Sequence, residues 1–568
     1  MNRIYRIVFN RRTDMWQVVS EIARGPCQSA RSDVPGANEK KPASTARHAV
    51  QLTVRTLVAA WGFALAQAAL AQVASSQLPT GGSISGGTGT INSLASATLT
   101  IDQTSSRMSH AWSTFDIGSG ASVTFNQPAT SSAGLSEING GNPTQIYGNL
   151  NANGQVLLSN RNAILFGGTA SVNVGGLLAT SLGMQASDFM AGSYELDAGG
   201  NTVALVANSG TMNAASGSVI LLGGAVVNQG TITAAAGNLQ LVAADRATLT
   251  YESGGFNASV TGALQLALDS TAITNTGVLS APGGRISLQA RAATGLFNQL
   301  IDNSGTITAA GSGSGNDGSV AFIATGASGQ TAVTDSGQVD VRDGTISFST
   351  DGGVQQTGSY VAGVLEGSIG GNASFAGTNQ IAAIGTMDVS GNLSLRNGRS
   401  LVQSGSLNVA GTTSIDTGAN AITLDNANNV FGNTVSLSGG NTRIVASNAL
   451  ALGTLATGNL SATSSGALTL GRGTVTGTLS ATSNGGAITQ SASNPLTVTG
   501  TSALHAGAGA ITLTTAGNDF GQAVSLTGGS TAIADANALT LGTLATGNLT
   551  ATSTGALNLG SGTVTGTL

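Results

Sequence analysis

Residues 208–222 read NSGTMNAASGSVILL, and residues 228–242 read NQGTITAAAGNLQLV. The two stretches align at an offset of 20. Each has Asn, any residue and Gly, then an apolar residue two positions on, then Ala, then Gly, then an alternating apolar run. The pattern returns at Asn275 (NTGVLSAPGGRISLQA) and at Asn303 (NSGTITAAGS, with an insertion before VAFIA). Short alternating strands separated by Gly and Asn turns make one coil of a β-solenoid. Alternation sends one set of side chains inward and the other outward. Inward Val, Leu, Ile and Ala then stack from coil to coil, Thr and Ser cover the outside, and Gly and Asn accept the tight corners.

A longer repeat overlies this one. Residues 421–479 align with 510–568 at an offset of 89, with 42 of 59 positions identical. Both copies contain NALxLGTLATGNL, at 448–460 and 537–549, and Phe431 corresponds to Phe520. The first copy continues as SATSNGGAITQ, and the second stops at Leu568. The sequence thus stops inside a repeat without a polar capping coil. That leaves two expectations open: the front of a longer fibre, or a short one with an exposed β-edge.

Composition agrees with an elongated all-β chain. Of 568 residues, 83 are Gly, 8% are charged and 4% are aromatic, against a usual charged share near ~25%. Low charge with 40% hydrophobic residues is unlike a disordered tail, and Gly lacks the three-residue period of collagen. The first 71 residues hold 8 Arg, 2 Lys and 4 acids; the rest hold 10 Arg, no Lys and 21 acids. A body at −11 with no Lys is a poor nucleic-acid binder and has no phosphate-loop lysine. The one Cys, Cys27, lies in the leader, so a processed chain has no disulfide and no cysteine-bound metal.

The leader is a secretory signal. Residues 47–71, RHAVQLTVRTLVAAWGFALAQAALA, place Arg47 and Arg55 before an apolar run from Leu57 to Leu70. Ala69-Leu70-Ala71 meets the small-residue cleavage rule, which puts the cut between Ala71 and Gln72. The run is shorter than a transmembrane span of ~20 residues. Residues 1–25, MNRIYRIVFNRRTDMWQVVSEIARG, precede it. Through Asn2, Tyr5, Arg6, Asn10, Trp16, Val18, Val19, Ser20 and Glu21 this stretch resembles the extended signal-peptide region of large Gram-negative secreted proteins. The resemblance implies export by the general secretion machinery.

The first 170 residues after the leader carry a second resemblance. Trp112 with FDIG at 115–118, VTFNQP at 123–128, GGNPTQIYG at 140–148, NANGQV at 151–156, ILFG at 164–167 and VNVGGLLA at 172–179 are similar to the secretion domain of filamentous haemagglutinin-like exoproteins of two-partner secretion. The resemblance implies a right-handed parallel β-helix with an N-terminal cap and small extra-helical sheets. It also implies recognition, before folding, by an outer-membrane transporter of the Omp85 type (TpsB). The chain would then cross outward extended and fold coil by coil, which suits coils that contact only their neighbours.

The expected architecture is therefore all-β, a right-handed parallel β-helix with an N-terminal cap and about 20 residues per coil. Residues 1–71 form the extended signal peptide, 72–320 the secretion domain and 321–568 a repeat region with units 421–509 and 510–568, the latter incomplete. Residues 72–568 make roughly 25 coils of ~20 residues, a rod on the order of 120 Å. Candidate transporter-recognition residues are Asn142, Pro143, Asn160 and Asn162. The family's Asn-Pro-Asn-Gly turn reads Asn160-Arg161-Asn162-Ala163 here. The loss of Pro and Gly is expected to carry a modest cost, with the Asn residues holding the turn. Trp112 and Phe115 are expected to pack the cap rather than offer a sugar-stacking platform.

Catalytic chemistry is scarce. After residue 71 the only His residues are His110 and His505, and there is no HExxH and no GxSxG. GSGSGNDGSV at 311–320 is faintly similar to a calcium-binding nonapeptide but occurs once, and such sites are built from tandem repeats. The expectation is a non-enzymatic chain without metal or cofactor. The leading function is a secreted or surface-exposed adhesin that binds host-cell glycans or surface proteins, or other bacteria, with no nucleic-acid partner. The alternative is the N-terminal part of a toxin-delivery exoprotein of contact-dependent inhibition, which requires a charged globular tail absent from these repeats. Haem or haemopexin capture ranks third.

Overall fold

The computed structural model describes residues 5–10, 15–20 and 73–568, apart from 95–96, 200–203, 253–254, 269–270, 312–316 and 491–494. The predicted signal core and the cleavage pair Ala71 and Gln72 lie outside the described residues. In the leader, Tyr5–Asn10 and Met15–Ser20 pair antiparallel, with Tyr5 opposite Ser20. Residues 73–568 form a separate unit.

That unit is a parallel β-helix of about 21 turns with roughly 21 residues per coil. Each coil presents three strands to three lengthwise ladders. Thr211–Ala214, Val219–Gly223 and Ala225–Asn228 make one coil. The first two stack in register on Thr231–Ala234 and Leu239–Ala243, with Met212 against Ile232 and Leu221 against Leu241. The 20-residue sequence period is therefore the coil itself. Met212, Leu221, Ile232 and Leu241 are at most 1% exposed. Full burial of each such side chain contributes roughly 1.5–3 kcal/mol.

The coil number falls below the expected 25 because several coils carry insertions, two of them long. Val172 stacks on Met212, 40 positions on, and Ile232 on Leu279, 47 positions on. The first insertion holds the helix Ala186–Ala191 and the strand Glu195–Asp197. The second holds the hairpin Arg246–Glu252 and Gly255–Val260. The three strands form an antiparallel sheet beside the solenoid. Arg107 ties this sheet to the cap, donating from Nε to the Tyr194 hydroxyl at 3.1 Å with its guanidinium 5.9 Å from that ring's centre. At 21 turns and about 4.8 Å per turn, the solenoid is on the order of 100 Å long.

The cap switches hydrogen-bonding mode. Ser83–Gly86 pairs antiparallel with Arg107–Trp112, and Gly89–Leu94 with Thr98–Gln103, before parallel stacking begins. Antiparallel pairing covers what would otherwise be an open strand edge.

A buried amide ladder runs down one corner. Asn208, Asn228, Asn275, Asn303 and Asp335 occupy the first position of the Asn-x-Gly signature, or Asp-x-Gly at its end, and all are 0% exposed. Each Nδ2 donates to the next Oδ1, at 2.9, 2.8, 2.7 and 2.9 Å in turn. Asp335 cannot pass the chain on, and the Tyr360 hydroxyl donates to its free oxygen at 3.0 Å. There the core turns aromatic: Phe322 stacks on Phe348 at 5.1 Å, and Phe348 contacts Tyr360 and Phe375.

The 89-residue repeat does not equal a whole number of turns. Leu460 stacks on Leu479, then Ser502, Val524 and Leu541, four turns on. Its repeat partner Leu549 lies on the next ladder, with Thr531, Ile511, Ile488 and Leu468. One repeat thus advances four turns and one face, so corresponding side chains point in different directions.

Candidate functional site

The four sequence-selected residues, three Asn and Pro143, meet at one corner. Strands Thr144–Ile146 and Ile164–Phe166 stack in parallel, with Thr144 opposite Ile164. This places the turn at Asn142-Pro143 directly against the turn at Asn160–Ala163. Asn160 is 0% exposed. Its Nδ2 donates to the Asn142 carbonyl at 3.0 Å and to Thr144 Oγ1 at 2.9 Å. Its Oδ1 accepts the Asn162 amide at 2.9 Å. Asn162 Nδ2 donates to the Gly140 carbonyl at 2.7 Å. Asn142 and Asn162 are exposed and Pro143 half-buried. In the folded chain Asn160 is thus an internal clasp, and the outward polar groups of the corner come from Asn142 and Asn162.

The turn survives the loss of Pro and Gly, with a visible strain. Ala163 holds φ at +125°, a region suited to glycine. Arg161 leaves the turn sideways. Its guanidinium donates to the Ala198 carbonyl and lies where any side chain on Gly183 would collide with it. It also opposes the burial that raises the pKa of Glu137.

Trp112 and Phe115 pack the cap. Trp112 is 3% and Phe115 0% exposed. Their rings meet edge to face at 5.3 Å, and Trp112 Nε1 donates to Ser136 Oγ at 3.3 Å. Neither offers an open platform. Sequence reading did not assign His110 to this cluster. It is 0% exposed, 6.3 Å from Trp112 and 5.9 Å from Phe125. Its Nδ1 donates to the Leu135 carbonyl at 3.0 Å, while Nε2 faces no partner. Burial lowers its pKa to about 4, the hydrogen bond to Leu135 opposing. The apolar alternation of MSHAW was the available signal, since His110 sits at a position of the run that packs inward.

At another corner of the same coils, Thr124, Asn126, Asn151, Asn153 and Asn173 line an open cleft of about 510 Å³. These side chains carry amides and a hydroxyl and no charge. Among the described residues no group of three His, Cys, Asp or Glu is placed to hold a metal. In the 311–320 stretch, Asp317 accepts the backbone amides of Gly311 and Asp343. Its carboxylate is thereby committed to closing a loop.

Comparisons with known proteins place these features. Residues 71–321 match the TPS secretion domain family, and residues 1–61 match the Extended Signal Peptide of Type V secretion system. Residues 370–438 and 457–527 match a family of repeats of unknown function. The heme/hemopexin-binding protein of Haemophilus influenzae (strain ATCC 51907 / DSM 11121 / KW20 / Rd) is 38% identical over 104 residues, 18% of this chain and 11% of that protein. A second Haemophilus influenzae heme/hemopexin-binding protein is 38% identical over 109 residues, 19% of this chain and 12% of the relative. The match thus spans about a tenth of these relatives' length. The HMW1 secretion domain from Haemophilus influenzae is a similar solved structure at 21% identity and a TM-score of 0.46, covering 61% of this chain and 96% of that one.

Proposed function

We propose an adhesive role for this chain, which belongs to the exoproteins of two-partner secretion. It is a secreted protein exported to the cell surface, and its secretion domain implies an outer-membrane TpsB transporter as partner. The finer reading is an adhesin that engages host-cell glycans or surface proteins, or other bacteria, without catalysis. The supporting observation is the uncharged patch of amides and a hydroxyl that lines the open cleft on the rod. Asn151, Asn173 and Asn213 fall in register on three successive turns, beside the open cleft. Such a patch donates and accepts hydrogen bonds, which suits neutral polar partners such as glycan hydroxyls. Repeats that step one face per copy would present the same side chains around the rod.

Two experiments test this. Deleting the transporter should abolish appearance of the chain in the medium; equal amounts with and without it would overturn the export reading. The purified secreted chain should bind cells or a glycan panel more strongly than an unrelated secreted β-solenoid, and equal binding would overturn the adhesin reading. The relatives' names supply haem capture as a competing reading. His110 is enclosed in the cap, so a haem-binding result would have to rest on other groups.

A further inference from the structure

We propose that Arg161 is a positioning residue that locks the Asn160–Ala163 turn onto the added antiparallel sheet, and that the lock closes only once residues 245–252 have folded. Three observations meet here. The first is the strain at Ala163, whose positive φ leaves this turn without the local devices, Pro and Gly, that pre-set such a bend. The second is the path of Arg161. Its guanidinium crosses to the Ala198 carbonyl, and it packs in the space left by two missing side chains, at Gly183 and Gly199.

The third observation is what holds the acceptor still. The Ala198 amide donates to the Asp245 carbonyl at 3.0 Å. Asp197 exchanges backbone hydrogen bonds with Gly183 at 3.0 and 3.1 Å. Glu195–Asp197 pairs antiparallel with Arg246–Glu252, Asp197 facing Arg246, and their side chains form an ion pair at 2.7 Å. The Arg161 acceptor is therefore fully fixed only when residues about 85 positions downstream join Gly183 in holding it. Elsewhere most coils find their partner about 20 positions away. Until the hairpin has folded, the corner carrying Asn142 and Asn162 stays unlatched, and then it sets. The corner's link to the transporter rests on the secretion-domain reading above; the lock itself does not.

The test is amide hydrogen exchange on the secreted chain, followed at residues 158–166 and, as a control, at 219–223. Arg161→Ala should raise exchange at the turn on the order of tenfold, the scale of one charge-assisted hydrogen bond, and leave the control unchanged. Arg246→Ala should do the same from 85 positions away, and it covers the case in which the first variant does not fold. The double variant R161P/A163G supplies a locally pre-set turn and should restore protection without the guanidinium. Unchanged exchange at the turn in R161A or in R246A overturns the proposal, as does failure of R161P/A163G to restore it. Export is measured in parallel. A loosened turn with normal export upholds the lock and removes the corner from transporter recognition.

Discussion

The Tyr360 hydroxyl donates a 3.0 Å hydrogen bond to Asp335 Oδ2, and both residues are fully buried where the amide ladder ends. Asp335 stands where four preceding turns carry Asn, and its other oxygen accepts from Asn303. The ladder therefore stops on a carboxylate with Tyr360 as its last donor. Burial raises the Asp335 pKa to about 6, with the bonds from Asn303, Tyr360 and Gly337 opposing.

Asp335→Asn should stabilise the chain at neutral pH. A folded pKa of about 6 against 3.8 for the free group means that the fold takes up a proton before the unfolded chain does. The contribution favours folding below pH ~4 and is lost as pH rises through about 6. The scale is about 3 kcal/mol. In the variant, Oδ1 keeps its two donors and the Tyr360 hydroxyl rotates to accept. Denaturant unfolding of the two proteins should differ at pH 7 and converge near pH 4; a constant difference would contradict the assignment.

The cap should behave in the opposite sense. His110 has a folded pKa of about 4 against 6.5, so its contribution is fully present above pH 6.5 and lost as pH falls towards 4, by about 3 kcal/mol. Trp112 is the only Trp after residue 71, so its fluorescence in the processed chain reports the cap. His110→Phe should remove the acid shift of the Trp112 transition.

Ala163→Gly should raise stability by about 1 kcal/mol, because glycine adopts a φ of +125° without strain. The denaturation midpoint checks this, and a fall in the midpoint would show that the alanine methyl contributes more than its strain costs.

Asn228→Ala breaks the ladder in its middle. It leaves Asn208 Nδ2 and Asn275 without that partner. Buried unsatisfied groups of this kind cost about 1–3 kcal/mol each, so the variant should lose about 2–5 kcal/mol in equilibrium unfolding. Exposed Asn213→Ala, on the same coil, should change stability by less than about 0.5 kcal/mol.

Much of this was legible beforehand. The Asn-x-Gly signature and the alternation after it are local patterns with the period of a coil, so both the stacking and the inward residues could be read directly. Asn160 was found by its place in a turn, although its burial was not foreseen. The aromatic cap was legible through Trp112 and Phe115, while His110 was not, since a histidine's protonation and burial depend on neighbours such as Leu135 and Phe125.

By itself, the sequence determined the parallel β-helix, its coil period, its secretory leader and its resemblance to a secretion domain. These rest on interactions between a residue and its equivalent one turn away, which a repeating pattern records. Only the tertiary structure decided the Arg161 tether, the Asp335–Tyr360 terminus and the face on which each long repeat lies. The first two join residues at separations of 37 and 25, outside the repeat. The third follows from coils of unequal length: Thr442 to Leu460 takes 18 residues and Leu479 to Ser502 takes 23. Small differences in turn length accumulate along the stack, and an 89-residue period arrives one face beyond its start.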